Sequence, residues 1–239
     1  MSETIITVAG SGRLRHDPER ARVRIGLGFE GSKRDSVLAA TRAAHESLTG
    51  SLETLLEQEG GPVITWHSEE IRVWGQRPWS QDGTRLPVEF HSAVFVDAEF
   101  DDFEALSEWI DVVSIREGIA VDGIEWLLSA DTEARLQGSA RHDAITDALT
   151  KAREYAAALG LGGIRPLSIA DAGLLDDQPA PAAPRMGGGM MAMAKSAPSG
   201  GGMELRPNEI VVEATVHARF AAGPATNGNT DADTDGASA

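Results

Sequence analysis

The one compact group of side chains with ligand or proton-transfer chemistry in this chain is His67-Ser68-Glu69-Glu70. In an extended segment, alternation places His67 and Glu69 on the same face, which is part of an imidazole–carboxylate metal site. Two donors do not close a coordination sphere, so solvated polar side chains are the favoured reading. The remaining histidines, His16, His45, His91, His142 and His217, are scattered among different segments, and the chain has no cysteine. Thiolate nucleophiles, disulfides and zinc–thiolate sites are therefore excluded. Asp97, Glu99, Asp101 and Asp102 are a second acidic group. Asp97 and Glu99 fall on the outward face of a strand, however, and Asp101 and Asp102 stand where helix caps belong. Gly10-Ser11-Gly12 follows strand-like sequence but opens no helix, so it reads as a bulge or a close backbone approach rather than a phosphate cradle. No Ser/His/Asp order comes with a nucleophile-elbow sequence. The expectation is a protein with no catalytic residues, no bound metal and no cofactor; the alternative is a stress-protection protein that binds a small ligand, or a metal such as Cu(I) through its methionine-rich stretch.

Two other groups suit contacts between macromolecules. Trp66, Trp74 and Trp79 lie on one strand arm and the turn after it, with Arg72, Arg77 and Arg85 interleaved. Trp and Arg are enriched at protein interfaces. The same residues can stack nucleic-acid bases, but the formal net charge of −16 repels phosphates and anionic lipid alike. Met186, Met190, Met191, Met193 and Met203 crowd a Gly/Pro-rich stretch. Thioethers suit Cu(I) or adaptable protein contacts, and a flexible linker is the plainer reading. The candidate interface is therefore Trp66, Arg72, Trp74, Arg77 and Trp79, with Met190, Met191 and Met193.

The periodicity of the chain predicts the elements that carry these groups. Strands are expected over 4–14 and 20–30, joined as a hairpin by the turn Arg15-His16-Asp17-Pro18. A helix over 33–58, capped by Ser32, carries Thr41, His45, Leu48, Leu52 and Leu55 on one side and stops at Gly60-Gly61-Pro62. Strand arms at 63–74 and 86–100 follow. A short helix then begins at Asp101, with Glu104 at the capping-box spacing and Phe103, Leu106, Ile110 and Val113 as its stripe. A strand at 119–129 precedes a long helix over 132–159, whose buried side is marked by Ala144, Ile145, Ala148, Ala152, Tyr155, Ala156 and Leu159. Strands at 164–171 and 210–220 close the order ββα-ββα-βα-ββ. That order predicts an α+β fold, with antiparallel sheet and helices packed on one side.

Residues 1–222 are expected to form one domain. Residues 176–206 read as a flexible loop inside it, and 223–239 as a disordered acidic tail. The strand at 210–220 arrives late, yet it must dock on a sheet laid down earlier. Closing a loop of roughly thirty residues costs about 3 kcal/mol. Burying Ile210, Val212, Val216 and Phe220 returns at most about 6–10 kcal/mol. The N-terminal residues enter strand-like sequence directly, with no leader pattern and no later membrane-spanning run, which predicts a cytoplasmic soluble protein without membrane insertion.

The order of elements resembles the SIMPL-domain family, long listed in bacteria only as a domain of unknown function. The resemblance rests on Ile6-Thr7-Val8-Ala9-Gly10-Ser11-Gly12, on the Asp17-Pro18-Glu19-Arg20-Ala21 turn, and on Arg206-Pro207-Asn208 before the last strand. It rests most on the small-residue helix from Ala140 through Asp143, Ala144, Ala148, Ala152, Ala156 and Leu159 to Gly160-Leu161-Gly162. It covers about residues 4–222. The family commonly has Pro-Gly where this chain has Pro207-Asn208, and Asn tolerates the same left-handed turn. The resemblance implies no agreed enzymatic activity and supplies no catalytic residues. It implies a part in stress tolerance or signalling for some members, with periplasmic examples, and ring- or channel-like homo-oligomers for others. The partner expected here is therefore a second copy of the chain or another protein.

Overall fold

The computed structural model describes residues 3–82, 84–175 and 205–224. In chain order the elements are β1 (Thr4–His16), β2 (Arg20–Leu27), the two-residue β3 (Glu30–Gly31), α1 (Arg34–Glu57), β4 (Val63–Ser68), β5 (Arg72–Gln76) and β6 (Glu89–Phe100). They continue with α2 (Phe103–Ser114), β7 (Ile119–Leu127), α3 (Ala130–Ala158), β8 (Leu161–Asp171) and β9 (Ile210–Pro224). The fold is α+β, as the order of elements predicts. The elements divide into two compact units, one holding β1, α3, β8 and β9, the other holding β2 to β7 with α1 and α2.

In the first unit the late strand takes the central place of a three-stranded sheet, β1-β9-β8. Its alternation buries Val216, Ala218, Phe220 and Ala222 against Ile6 and Val8 of β1 and against Ala144, Ala148, Ala152 and Ala156 of α3. The strand extends to Pro224, past the expected end at 220. The buried side of α3 is narrower than its hydrophobicity suggests: Ile145, Tyr155 and Leu159 are exposed, and the buried stripe is one alanine every four residues from Ala140. Gly10 and Gly12 explain this. A methyl group on Gly10 would collide with the Ala144 carbonyl and the Ala148 side chain, and one on Gly12 with the Ala140 carbonyl. Strand and helix touch backbone to backbone, so only small residues fit between them. The helix stops at Gly160, whose φ of 66° lies in the left-handed region.

The second unit is a six-stranded sheet of order β3-β6-β2-β7, with β4 and β5 pairing with β6 in succession. The expected hairpin of the first two strands does not form, because β1 joins β9 whereas β2 lies between β6 and β7. A turn at Asp17-Pro18 redirects the chain without deciding which strand it meets next. The buried faces decide that: Ala21, Val23, Ile25 and Leu27 of β2 and Val94, Val96, Ala98 and Phe100 of β6 form one apolar surface. Leu48 and Leu52 of α1 and Leu106, Ile110 and Val113 of α2 pack on it, so both helices cover the same face. Leu205 of the later segment also packs against this core.

Three local expectations shift. The arm at 63–74 is two strands, because between the pairs Ser68↔Val96 and Arg72↔Ala93 the arm has one residue more than β6. The surplus loops out at Glu69-Glu70-Ile71 as a bulge. Lys33, not Ser32, occupies the cap position of α1 and makes no side-chain cap bond, so Ser32 sits one residue too early. Asp102, not Asp101, caps α2, accepting from the Glu104 and Ala105 amides at 2.9 and 3.0 Å.

Candidate interaction face

The face of the six-stranded sheet turned away from α1 and α2 is built by alternation. With Ala21, Val23 and Ile25 facing the core, Arg20, Arg22 and Arg24 must face outward, and the register sets Arg22 opposite Glu99 and Arg24 opposite Asp97. The resulting ladder is continuous. Arg22 donates to Glu99 at 2.6 Å and to Glu125 of β7 at 3.0 Å. Arg24 donates to Asp97 at 3.0 Å and to Glu69 at 2.6 Å. His67 of β4 lies 3.2 Å from Asp97. Asp97 is only 7% exposed, and the Arg24 guanidinium suits a carboxylate so far from water. The Arg22 guanidinium is held charged beyond its ordinary range mainly by its hydrogen bond to Glu99. For Arg24 the main cause is Glu69.

Beside the ladder the face turns aromatic. The Arg24 guanidinium lies 4.4 Å from the Phe95 ring centroid, and Gly26 opposite Phe95 leaves the ring room. Trp74 of β5 pairs with His91 of β6, and their rings stack at 5.7 Å and 22°. A cleft of about 280 Å³ opens at the bulge, lined by Glu69, Glu70, Arg72, Trp74, Ala93, Val94 and Phe95.

The structure brings Arg72 and Trp74 together in this cleft. Trp79, 81% exposed, stands beyond the end of β5, and Arg77 donates to the Leu86 carbonyl at 2.7 Å. Trp66 is turned to the other side and packs on the core. Met190, Met191 and Met193 lie outside the described residues. His67 and Glu69 do not share a ligand: each contacts the Arg24–Asp97 pair from its own side. Among the described residues no group of three or more His, Asp or Glu side chains is placed to hold a metal ion. Ser68 and His45 meet at 2.8 Å, but the Ser68 hydroxyl also donates to the Glu69 carbonyl, and among the described residues His45 has no carboxylate to orient it. That pair joins β4 to α1 and lacks the third group of a nucleophilic site.

The chain matches a family model described as SIMPL, a protein of unknown function (DUF541), over residues 6–220. The chain belongs to this family. A comparison with curated proteins found no match. The SIMPL match begins at Ile6 in β1 and ends at Phe220 in β9, so it takes in strands of both units. Within this SIMPL chain the sequence missed the ladder as a unit. Alternation placed Arg22, Arg24, Asp97 and Glu99 outward one by one. Only the register across strands more than seventy residues apart shows that they meet. Phe95 and His91 carried no separate signal, since each is one polar-face residue in an alternating strand.

Proposed function

We propose that this SIMPL protein is a non-enzymatic interaction and assembly module, and that it forms homo-oligomers through the aromatic end of the open sheet face. The observation that carries this reading is the exposure of two tryptophans, one on that face and one just beyond the end of β5: Trp74 is 42% and Trp79 is 81% exposed. A large ring left in water is the kind of side chain that anchors interfaces, burying roughly 150–250 Å² when covered. The charged ladder beside it supplies a polar margin, already satisfied within the chain, of the sort that rims such contacts. A role in stress tolerance, which the family resemblance implies, would then work through assembly rather than turnover. Light scattering on the purified protein and on the Trp74→Ser/Trp79→Ser variant tests the proposal. The expected result is a defined multimer that loses mass in the variant. A monomeric wild type, or a variant multimer of unchanged mass, overturns it.

A further inference from the structure

Among the described residues, strand β1, 13 residues long, ends its sheet, with β9 as its one neighbour. An edge of that length offers a row of backbone N–H and C=O groups to another chain. Its first half makes the exposure more serious. Thr4-Ile5-Ile6-Thr7-Val8-Ala9 has high β propensity and contains no charge, proline or glycine, which is the composition that pairs strand to strand between copies. Ile5 is 63% exposed. Two such edges from identical chains can pair antiparallel about a two-fold axis, so the partner most at hand is a second copy.

The centre of this edge is already occupied. Alternate residues of a strand direct their N–H and C=O groups to the same side, so Ala9 and Ser11 address one edge together. The Lys151 ammonium donates to the Ala9 carbonyl at 3.0 Å, and the Ser11 amide donates to the Asp147 carboxylate at 2.8 Å. Asp147 and Lys151, one turn apart on α3, are joined to each other at 2.7 Å. Helix side chains thus supply one donor and one acceptor where a neighbouring strand would supply them. They can reach the edge because Gly10 and Gly12 let α3 lie directly on β1.

We infer that Asp147 and Lys151 form a stopper on the β1 edge, preventing this strand from pairing with its counterpart in a second copy. An exposed ion pair on a helix surface adds little to stability. The value of this one lies in its position. The stopper and the Trp74–Trp79 surface are on different sheets, so either can fail without the other.

The test is Asp147→Ala/Lys151→Ala, compared with Arg153→Ala/Glu154→Ala, which removes the same charges from exposed positions of the same helix. Far-UV circular dichroism reports folding, and light scattering over a wide concentration range reports mass. With native dichroism, the first variant should gain mass by about twofold or more as concentration rises. The amides of Ile5, Thr7 and Ala9 should become protected from hydrogen exchange, and the second variant should keep the wild-type mass. Wild-type mass in a folded first variant overturns the inference, as does a gain in mass that leaves those three amides unprotected. If the double variant loses its native dichroism, Lys151→Ala alone decides. It frees the Ala9 carbonyl while favouring helix, and it should show the same gain at high concentration. Unchanged mass there overturns the stopper as well.

Discussion

Asp147 accepts from the Lys151 ammonium and from the Ser11 amide, and both contacts favour its ionised form, so its carboxyl is held below the usual range. A carboxyl with a lower pKa folded than unfolded binds fewer protons in the native state. Its contribution is therefore complete above the ordinary carboxylate value of about 3.9 and disappears as pH falls through the lower folded value. Asp147→Asn should accordingly melt at a lower temperature than wild type at neutral pH. The gap should close as pH drops below about 4, and thermal melts across that range will show it. A gap that stays constant would mean that ionisation has no part in the contact. Nothing in the sequence singles this residue out. Asp147 and Lys151 resemble any helix ion pair, and their third partner is 136 residues away. Asp102 was more legible because a cap works within one turn, and even there the position was off by one residue.

The elements show where periodicity suffices and where it does not. Alternation in β2 and β6 assigns every core side chain correctly, because one buried face and one open face impose a strict period of two. In α3 the large apolar residues mislead. Ile145, Tyr155 and Leu159 suggest a wide buried side, whereas the packed stripe is alanine. The signal that resolves it lies in another element, since Gly10 and Gly12 of β1 demand small partners. Gly12→Ala should therefore destabilise the protein by about 3 kcal/mol, the upper end of ordinary overpacking, because the clash is with helix backbone and no side chain can rotate away. Gly138→Ala on α3, where an added methyl meets nothing, is the matched control and should be neutral or slightly stabilising. Denaturant titration of both variants measures the difference, and equal effects would refute the backbone contact. The sheet edges vary as well. Pro166 and two register breaks interrupt β8, and Arg34 of α1 donates to the Val73 carbonyl of β5 at 3.4 Å. Edges managed in this way disfavour strand addition, and the proposed assembly through Trp74 and Trp79 does not need it.

At the scale of the whole molecule, sequence order and spatial order part company. The chain starts one sheet with β1, leaves it to build all of the second unit, and returns through α3 and β8 before β9 completes it. The late strand was legible because eleven alternating residues need a sheet to join, and the loop-closure term is too small to prevent docking. That β9 would sit between β1 and β8 was not legible, since alternation fixes a face and leaves the neighbours open. Its central place makes a sharp prediction. Truncation after Glu209 keeps Leu205 in the core of the second unit but removes the strand that both β1 and β8 pair with. Neither remaining strand neighbours the other, so amide protection should collapse across β1, β8 and α3. In β2 and β6, whose partners are intact, protection should persist. Hydrogen exchange read by mass spectrometry separates the two segments directly. Undiminished protection in β1 and β8 would mean that they hold together without β9, and a uniform loss would mean that the two units fold only as one.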